Sequence, residues 1–157
     1  MDRDVLLAIR DLLLQTRVLS LAVLVDGEPE AALLPFATAE DFGTVYVQAS
    51  RLARHARGLE TGAPAGVLIH AGDSPEADPM QLARLSVHAT VTKLEKEGEA
   101  FASASERFIG RFPQAQMTLG FGDFNLFALT LGRGRYVEGF ARAFNVDGQT
   151  FSDLASL

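Results

Sequence analysis

The spacing of apolar residues divides the first part of the chain into a helix and a hairpin. Over residues 2–16, apolar side chains recur every three to four positions, which predicts an amphipathic helix. Residues 18–25 form a short apolar run, rich in Val and Leu, that is typical of a buried strand, and an Asp-Gly turn leads from it into a second strand over 30–37. Because Pro35 has no N–H to donate to a ladder, we expect this second strand to lie at an edge or to contain a bulge.

The later part of the chain is dominated by short strands. Residues 44–49, 65–70 and 82–94 predict three of them, and the first and last alternate between apolar and polar side chains. Ser50 is a suitable N-cap for a short helix over 51–59. The remaining predicted elements are a helix over 97–112, a hairpin formed by 125–131 and 135–140, and a weakly patterned tail at 147–157.

These elements predict an α+β domain that is mainly β. The strands outnumber the helices and do not alternate with them as they do in a doubly wound sheet. A small, mostly antiparallel barrel with helices at its ends fits the order better. The length of 157 residues is typical of one domain, so we expect residues 1–157 to form a single unit.

Composition excludes several classes of function. The chain has no cysteine, which excludes disulfides, thiolate metal sites and cysteine nucleophiles. A net charge of −6 argues against a nucleic-acid partner. No apolar run reaches the roughly 18 residues of a membrane span. The start of the chain is acidic rather than basic, so we expect no secretory signal and a cytoplasmic protein.

The strongest chemical signal lies where the third strand runs into the short helix. Ser50 is followed by Arg51, Arg54, His55 and Arg57, and no acidic residue occurs between Asp41 and Glu60. Hydroxyl, guanidinium and free N–H groups at such a junction suit a phosphate. A phosphorylated-cofactor site is one interpretation. A surface helix with a solvated charged face, with Ser50 only a cap, is the other.

The remaining polar candidates are weaker. Arg84 shares the polar face of its strand with Ser86 and His88, where it could meet an anion or a ring carbonyl, or simply be exposed. His55, His70 and His88 show no metal-ligand spacing, and we expect no metal site. The phenylalanines late in the chain are typical of a core. They would also suit an aromatic wall over a flat ring or a dimer contact.

Three segments resemble the FMN-binding split-barrel proteins related to pyridoxamine 5'-phosphate oxidase, and within them the haem-utilisation subgroup. They are residues 21–36 (LAVLVDGEPEAALLPF), 49–59 (ASRLARHARGL) and 120–143 (GFGDFNLFALTLGRGRYVEGFARA). The resemblance covers residues 17–145. It implies a six- to seven-stranded antiparallel split β-barrel with flanking helices, and a homodimer with its cofactor sites at the interface.

The resemblance also implies residue roles. Ser50 would bond the FMN phosphate, with Arg54 and His55 where the oxidases have an Arg and a phosphate-binding Lys. Arg84 stands where the oxidases have a Gln near the flavin. With Arg57 from the same charged segment, the candidate cofactor-binding residues are Leu33, Leu34, Pro35, Ser50, Arg54, His55, Arg57 and Arg84, the first three running past the isoalloxazine ring.

Departures from the subgroup pattern leave three functions open. Ala32, Ala56 and Gly58 stand where the subgroup has Ser, Thr and Asn, so we expect weakened FMN affinity. The first hypothesis is an FMN flavoprotein, an oxidoreductase of unknown substrate and redox partner. The second is a haem-binding protein on the same barrel, with one of the three histidines as the iron ligand. The haem-handling members carry a C-terminal extension that supplies iron contacts. The third is a cofactor-free dimeric barrel.

Overall fold

The computed structural model describes residues 1–157, which form seven strands, four α-helices and two 3₁₀ helices. The strands are β1 (Val18–Val25), β2 (Glu28–Thr38), β3 (Thr44–Ser50), β4 (Pro64–His70), β5 (Arg84–Lys93), β6 (Phe124–Val137) and β7 (Ala143–Val146). The α-helices are α1 (Arg3–Gln15), α2 (Glu99–Arg111), α3 (Ala115–Leu119) and α4 (Gly148–Ala155), and the 3₁₀ helices span Arg54–Gly58 and Pro79–Gln81.

Six of the strands close into an antiparallel barrel. The sheet order is β3-β2-β1-β4-β5-β6-β7, and β3 also pairs with β6 along its whole length. That second pairing closes the barrel, and β7 extends β6 beyond it. The predicted six- to seven-stranded antiparallel barrel with flanking helices is therefore confirmed.

The core lies inside the barrel and under α1. Along β1, the side chains of Leu19, Leu21, Val23 and Val25 are buried and alternate with outward-facing ones. One face of α1 covers the core with the buried residues Val5, Ile9 and Leu13. The alternation follows from the strand period of two, and the helical stripe from the period of 3.6. None of the helices has the length and apolar character required to cross a membrane.

Pro35 lies inside the sheet, so the expected edge position is wrong. β2 pairs with β1 as far as Pro35 and with β3 only from Phe36 onward. The proline sits where the strand exchanges one neighbour for the other. Its missing N–H therefore interrupts neither ladder.

β6 is one continuous strand of 14 residues, where the sequence predicted a hairpin. The Gly132-Arg133-Gly134 segment is not a turn but a β-bulge, because the pairing with β5 shifts register between Val87 and Ala89. A Cβ at Gly134 would overlap the Ser86 carbonyl oxygen and the Val87 side chain. Glycine is required here for close strand approach rather than for chain reversal.

The weakly patterned tail at 147–157 forms a packed helix, α4. Asp147 caps α4 by accepting a hydrogen bond from the Thr150 N–H at 3.0 Å, and the Thr150 hydroxyl in turn lies 3.3 Å from the Asp147 N–H. Phe151 and Leu154 are fully buried and the helix packs against α1. Phe151 and Leu154 are three positions apart and therefore lie on the same face of α4. On a helix of only eight residues, these two side chains are enough to form its apolar face.

The buried end of α2 holds α1 in place through Arg111. Its guanidinium donates to the Leu14 carbonyl oxygen at 2.9 Å and also to the Thr16 carbonyl, near the C-terminal end of α1. It lies 5.1 Å from the centroid of the Phe36 ring. Burial, with the nearby Arg17, lowers the pKa of Arg111, yet it stays charged. The carbonyls it satisfies are ones that every helix end leaves without partners.

Replacing Arg111 with Ala is expected to lower the free energy of unfolding by about 2–3 kcal/mol, since the Leu14 and Thr16 carbonyl oxygens lose hydrogen bonds from a charged donor. Urea unfolding followed by circular dichroism measures this. Arg3→Ala, at an exposed position on α1, is the control and should change stability by less than about 0.5 kcal/mol. Equal stability of the two variants would contradict the role given to Arg111.

Candidate functional site

The charged junction after β3 is built differently from the prediction. Ser50 is the last residue of β3, and the helix that follows is a single 3₁₀ turn over Arg54–Gly58. Ala53 stands at its N-cap and no side chain caps it, so the predicted N-cap role of Ser50 is wrong. Gly58 packs so closely on Val23 and Leu24 of β1 that a Cβ at this position would overlap them. A turn of five residues contributes little dipole to an anion site.

Ser50 is engaged by an acidic side chain. Its hydroxyl donates to Asp123 Oδ2 at 2.7 Å and accepts a hydrogen bond from the Leu52 N–H at 3.2 Å. The Arg51 N–H also donates to the backbone oxygen of Asp123 at 2.7 Å. The donors that a phosphate would need at this position are therefore directed at Asp123.

Two arginines of the junction are paired with acids from the β1–β2 hairpin. Arg54 Nε lies 2.7 Å from Glu30 Oε2, and this hydrogen bond raises the pKa of Arg54. Arg57 contacts both carboxylate oxygens of Asp26, at 2.9 and 3.1 Å. Exposed pairs of this kind add little stability. Their effect here is on charge, because they neutralise two of the three arginines of the segment, while Arg51 forms no ion pair.

His55 contributes no positive charge at neutral pH. Its Nε2 atom is buried and has no hydrogen-bond partner. Burial lowers the pKa of His55 below its usual value, and the nearby Glu30 opposes this only in part. A neutral imidazole does not replace the phosphate-binding lysine that the oxidases have at this position. As it stands, the junction does not suit a doubly charged phosphate.

Arg84 lies far from this junction within one chain. It pairs with Val137 near the C-terminal end of β6, whereas Ser50 pairs with Phe124, the first residue of the same strand. Its guanidinium donates to the Met80 and Leu82 carbonyl oxygens, both at 3.0 Å, and so holds the loop before β5. The structure brings Ser50, Arg54, His55 and Arg57 together, but not Arg84.

The sequence missed a second surface, the outward faces of β1, β2, β4, β5 and β6, which we term the outer wall. Leu33, the first of the three residues expected beside a flavin ring, is 68% exposed there, while Leu34 is buried and Pro35 is half-buried. Leu24 is 55% exposed and Val18 42%. The apolar run over 18–25, interrupted only by Ser20, was the signal, since such runs are typical of strands covered on both faces. In this chain only one face is covered.

A row of small residues crosses the outer wall and ends at a histidine. Ala31, Ala22, Gly66 and His88 are successive neighbours on β2, β1, β4 and β5. Larger side chains flank the row, with Leu33 and Leu68 on one side and Leu24 on the other. The result is a shallow apolar trough with an imidazole at one end. No group of three or more His, Asp or Glu side chains is placed to hold a metal ion.

The chain is similar to proteins whose names refer to haem. No protein-family model matches the chain. The protein named heme oxygenase HutZ, from Vibrio cholerae, is 26% identical over 132 residues, which are 83% of this chain and 74% of that protein. A structure described as a heme binding protein from Mycobacterium smegmatis has a TM-score of 0.84 and 25% identity, and the match covers 98% of this chain. This chain spans only 62% of the length of that protein.

A third comparison concerns the fold alone. A Clostridium acetobutylicum protein related to general stress protein 26, assigned to the pyridoxinephosphate oxidase family, is 13% identical with a TM-score of 0.70. The match covers 96% of this chain and 99% of that one. The same barrel therefore occurs in proteins with different names.

Removing two acids should open the junction to a phosphate. In the variant Glu30→Gln/Asp123→Asn, Arg54 and Ser50 lose their charged partners, and the repulsion that an anion would meet is reduced. We expect FMN to bind at least about tenfold more tightly than to the native chain. Quenching of flavin fluorescence measures this.

The matched control is Glu28→Gln/Asp73→Asn, which removes the same charge from positions outside any ion pair of the junction. It should leave FMN affinity unchanged. Native protein that binds FMN as tightly as the Glu30→Gln/Asp123→Asn variant would show that the acids do not block the site.

Proposed function

Because the chain belongs to the split-barrel family of the pyridoxamine 5'-phosphate oxidase type, and relatives by sequence and by structure are named for haem, we propose that it is a haem-binding protein of the haem-utilisation type. One observation favours haem over a flavin as the ligand: Ser50, Arg54 and Arg57 are paired with the chain's own carboxylates. A flavin nucleotide needs a phosphate site. Haem has no phosphate and needs a flat apolar surface.

The haem macrocycle is proposed to bind in the trough of the outer wall. Small residues leave room for a flat ring, and the leucines beside them supply apolar contact. Bound haem would supply an iron centre for redox or oxygen chemistry, while the chain itself binds the ring and limits its access to water.

Of the three histidines, His88 is the proposed iron ligand. It is exposed on β5 at the end of the small-residue row, next to Gly66. His70 Nδ1 lies 2.7 Å from the Ala71 carbonyl oxygen, and His55 lies at the junction on the 3₁₀ turn. His88 is the histidine that ends the small-residue row, whereas His70, also exposed on the outward face of β4, lies at the end of that strand beyond Leu68.

The proposal includes a homodimer that covers the outer wall. Contiguous exposed apolar surface of this kind is typical of an interaction site. A planar ligand on one wall exposes its second face, which a second copy would bury. Dimerisation would also allow Arg84 of one copy to approach the Ser50 junction of the other, which one copy does not achieve.

Ferric haem added to the purified protein is expected to give a Soret band that is retained through gel filtration, whereas FMN added in the same way is lost. In His88→Ala the Soret maximum should shift and the affinity for haem should fall at least about tenfold, since one metal bond is removed. His70→Ala is the matched control and should behave as the native chain does. An unchanged spectrum in His88→Ala would contradict the assignment of the ligand, and retention of FMN by the native protein would contradict the choice of haem.

The native protein is expected to have the mass of a dimer by light scattering after gel filtration. Leu33→Asp places a charge in the apolar part of the outer wall and should give a monomer. Leu52→Asp changes an even more exposed leucine (82%) beside the junction and should leave the dimer intact. A native monomer, or two variants with the same mass, would contradict the interface.

A further inference from the structure

Acidic residues are almost absent from the strands of this acidic protein. The chain has 20 Asp and Glu against 14 Lys and Arg, yet Glu28 and Glu30 of β2 are the only acids in any strand. The strands β5 and β6 carry Arg84, Lys93, Arg133 and Arg135. The part of the outer wall that β5 and β6 form is therefore positively charged, although the chain as a whole is negatively charged.

The bulge in β6 turns two of these arginines outward. Leu129 and Leu131 are buried, and without a bulge residues 133 and 135 would face the same way, into the core. The register shift opposite Val87 and Ala89 inserts one extra residue, so that Tyr136 takes the buried position. Bulges commonly re-aim side chains next to functional sites. Here the bulge places Arg133 and Arg135 side by side on the outer wall.

Neither arginine is neutralised by the chain. The ion pairs of the protein involve Arg54, Arg57, Arg107 and Arg142, and neither of the two bulge arginines. Arg135 donates one hydrogen bond, to Asn145 Oδ1 at 2.9 Å, and that amide is uncharged. Each guanidinium therefore retains donors for an anion.

A depression of about 440 Å³ lies beside them. His88, Arg133, Gly134, Asn145, Val146 and Asp147 line it. Asp147 is the one acid in this lining, and its Oδ1 accepts the N–H and hydroxyl of Thr150 at the start of α4. The depression thus extends from His88, at the end of the trough, to Arg133, and Asn145 in its lining accepts the hydrogen bond of Arg135.

The distance between the apolar and the cationic parts of the wall suits one amphiphilic molecule. Leu68, Ser86 and Arg135 are successive neighbours on β4, β5 and β6. At about 4.8 Å between strands, Arg135 lies about 10 Å from Leu68. Arg133 and Arg135 are two positions apart along the strand, about 7 Å. A flat apolar ring with two carboxylates on one edge matches this arrangement.

We infer that Arg133 and Arg135 form a carboxylate-binding pair, which holds the two acidic side chains of haem while the ring lies in the trough. This inference rests on the proposed haem function and adds to it the residues that orient the ring. Guanidinium forks bind carboxylates through two parallel hydrogen bonds, so they fix direction as well as adding affinity. Neither arginine needs to touch the iron.

The test compares ferric haem with its dimethyl ester, in which both carboxylates are blocked. The native protein is expected to bind haem at least about tenfold more tightly than the ester. In Arg133→Gln/Arg135→Gln, haem affinity should fall to that of the ester, and ester affinity should not change. Arg133→Lys/Arg135→Lys should recover part of the preference for haem, since the charge is kept.

The matched control is Arg3→Gln/Arg10→Gln, which removes the same charge from α1 and should retain the native preference. Circular dichroism and thermal unfolding of each variant establish that the barrel is intact. Equal affinity of the native protein for haem and ester, or full haem affinity in the Gln variant, would overturn the pair while leaving haem binding itself in place. A native protein that binds neither compound would overturn the proposed function and the pair together.

Discussion

Closure of the barrel by the pairing of β3 with β6 determines where this protein can bind anything. A six-stranded barrel is narrow, and here its interior is filled by the alternating apolar side chains of its own strands. No cofactor has room inside, so ligand chemistry is confined to the outside: to the strand ends and to the outer wall. The helices add to this confinement, because Arg111 fixes α1 against the buried core with charged hydrogen bonds. The junction after β3 and the trough with its cationic border both lie on this outside.

Those two surfaces differ in how their charge is arranged. At the junction, cations and anions of the same chain lie within hydrogen-bond distance and cancel locally. On the outer wall, the arginines of β6 have no acidic partner. Two members of one fold can thus favour different ligands through a few carboxylates, with the backbone unchanged. Ala56 and Gly58 stand at junction positions where the haem-utilisation subgroup has Thr and Asn. The loss of these polar groups is consistent with a surface that does not bind a phosphate.

The sequence predicted the strands and the barrel because local alternation reports which face of a strand is buried. It could not predict the charge balance at the junction. Arg54 and Glu30 are separated by 24 residues, Arg57 and Asp26 by 31, and Ser50 and Asp123 by 73. Sequence spacing says nothing about such partners until the register of the strands is known. The Gly-Arg-Gly segment of β6 was misassigned for a related reason: glycine permits both a turn and a close strand approach, and only the opposing strand decides between them.

The β6 bulge means that the character of the outer wall depends on the length of a strand as much as on its amino acids. Deleting one residue near Gly132 would preserve every arginine and every leucine in the sequence, yet it would exchange their faces from that point onward. Homologues that differ here by a single-residue gap would have different surfaces in spite of almost identical residues. Tracing the ancestry of this wall therefore requires attention to insertions and deletions in β6, which a count of identical positions ignores.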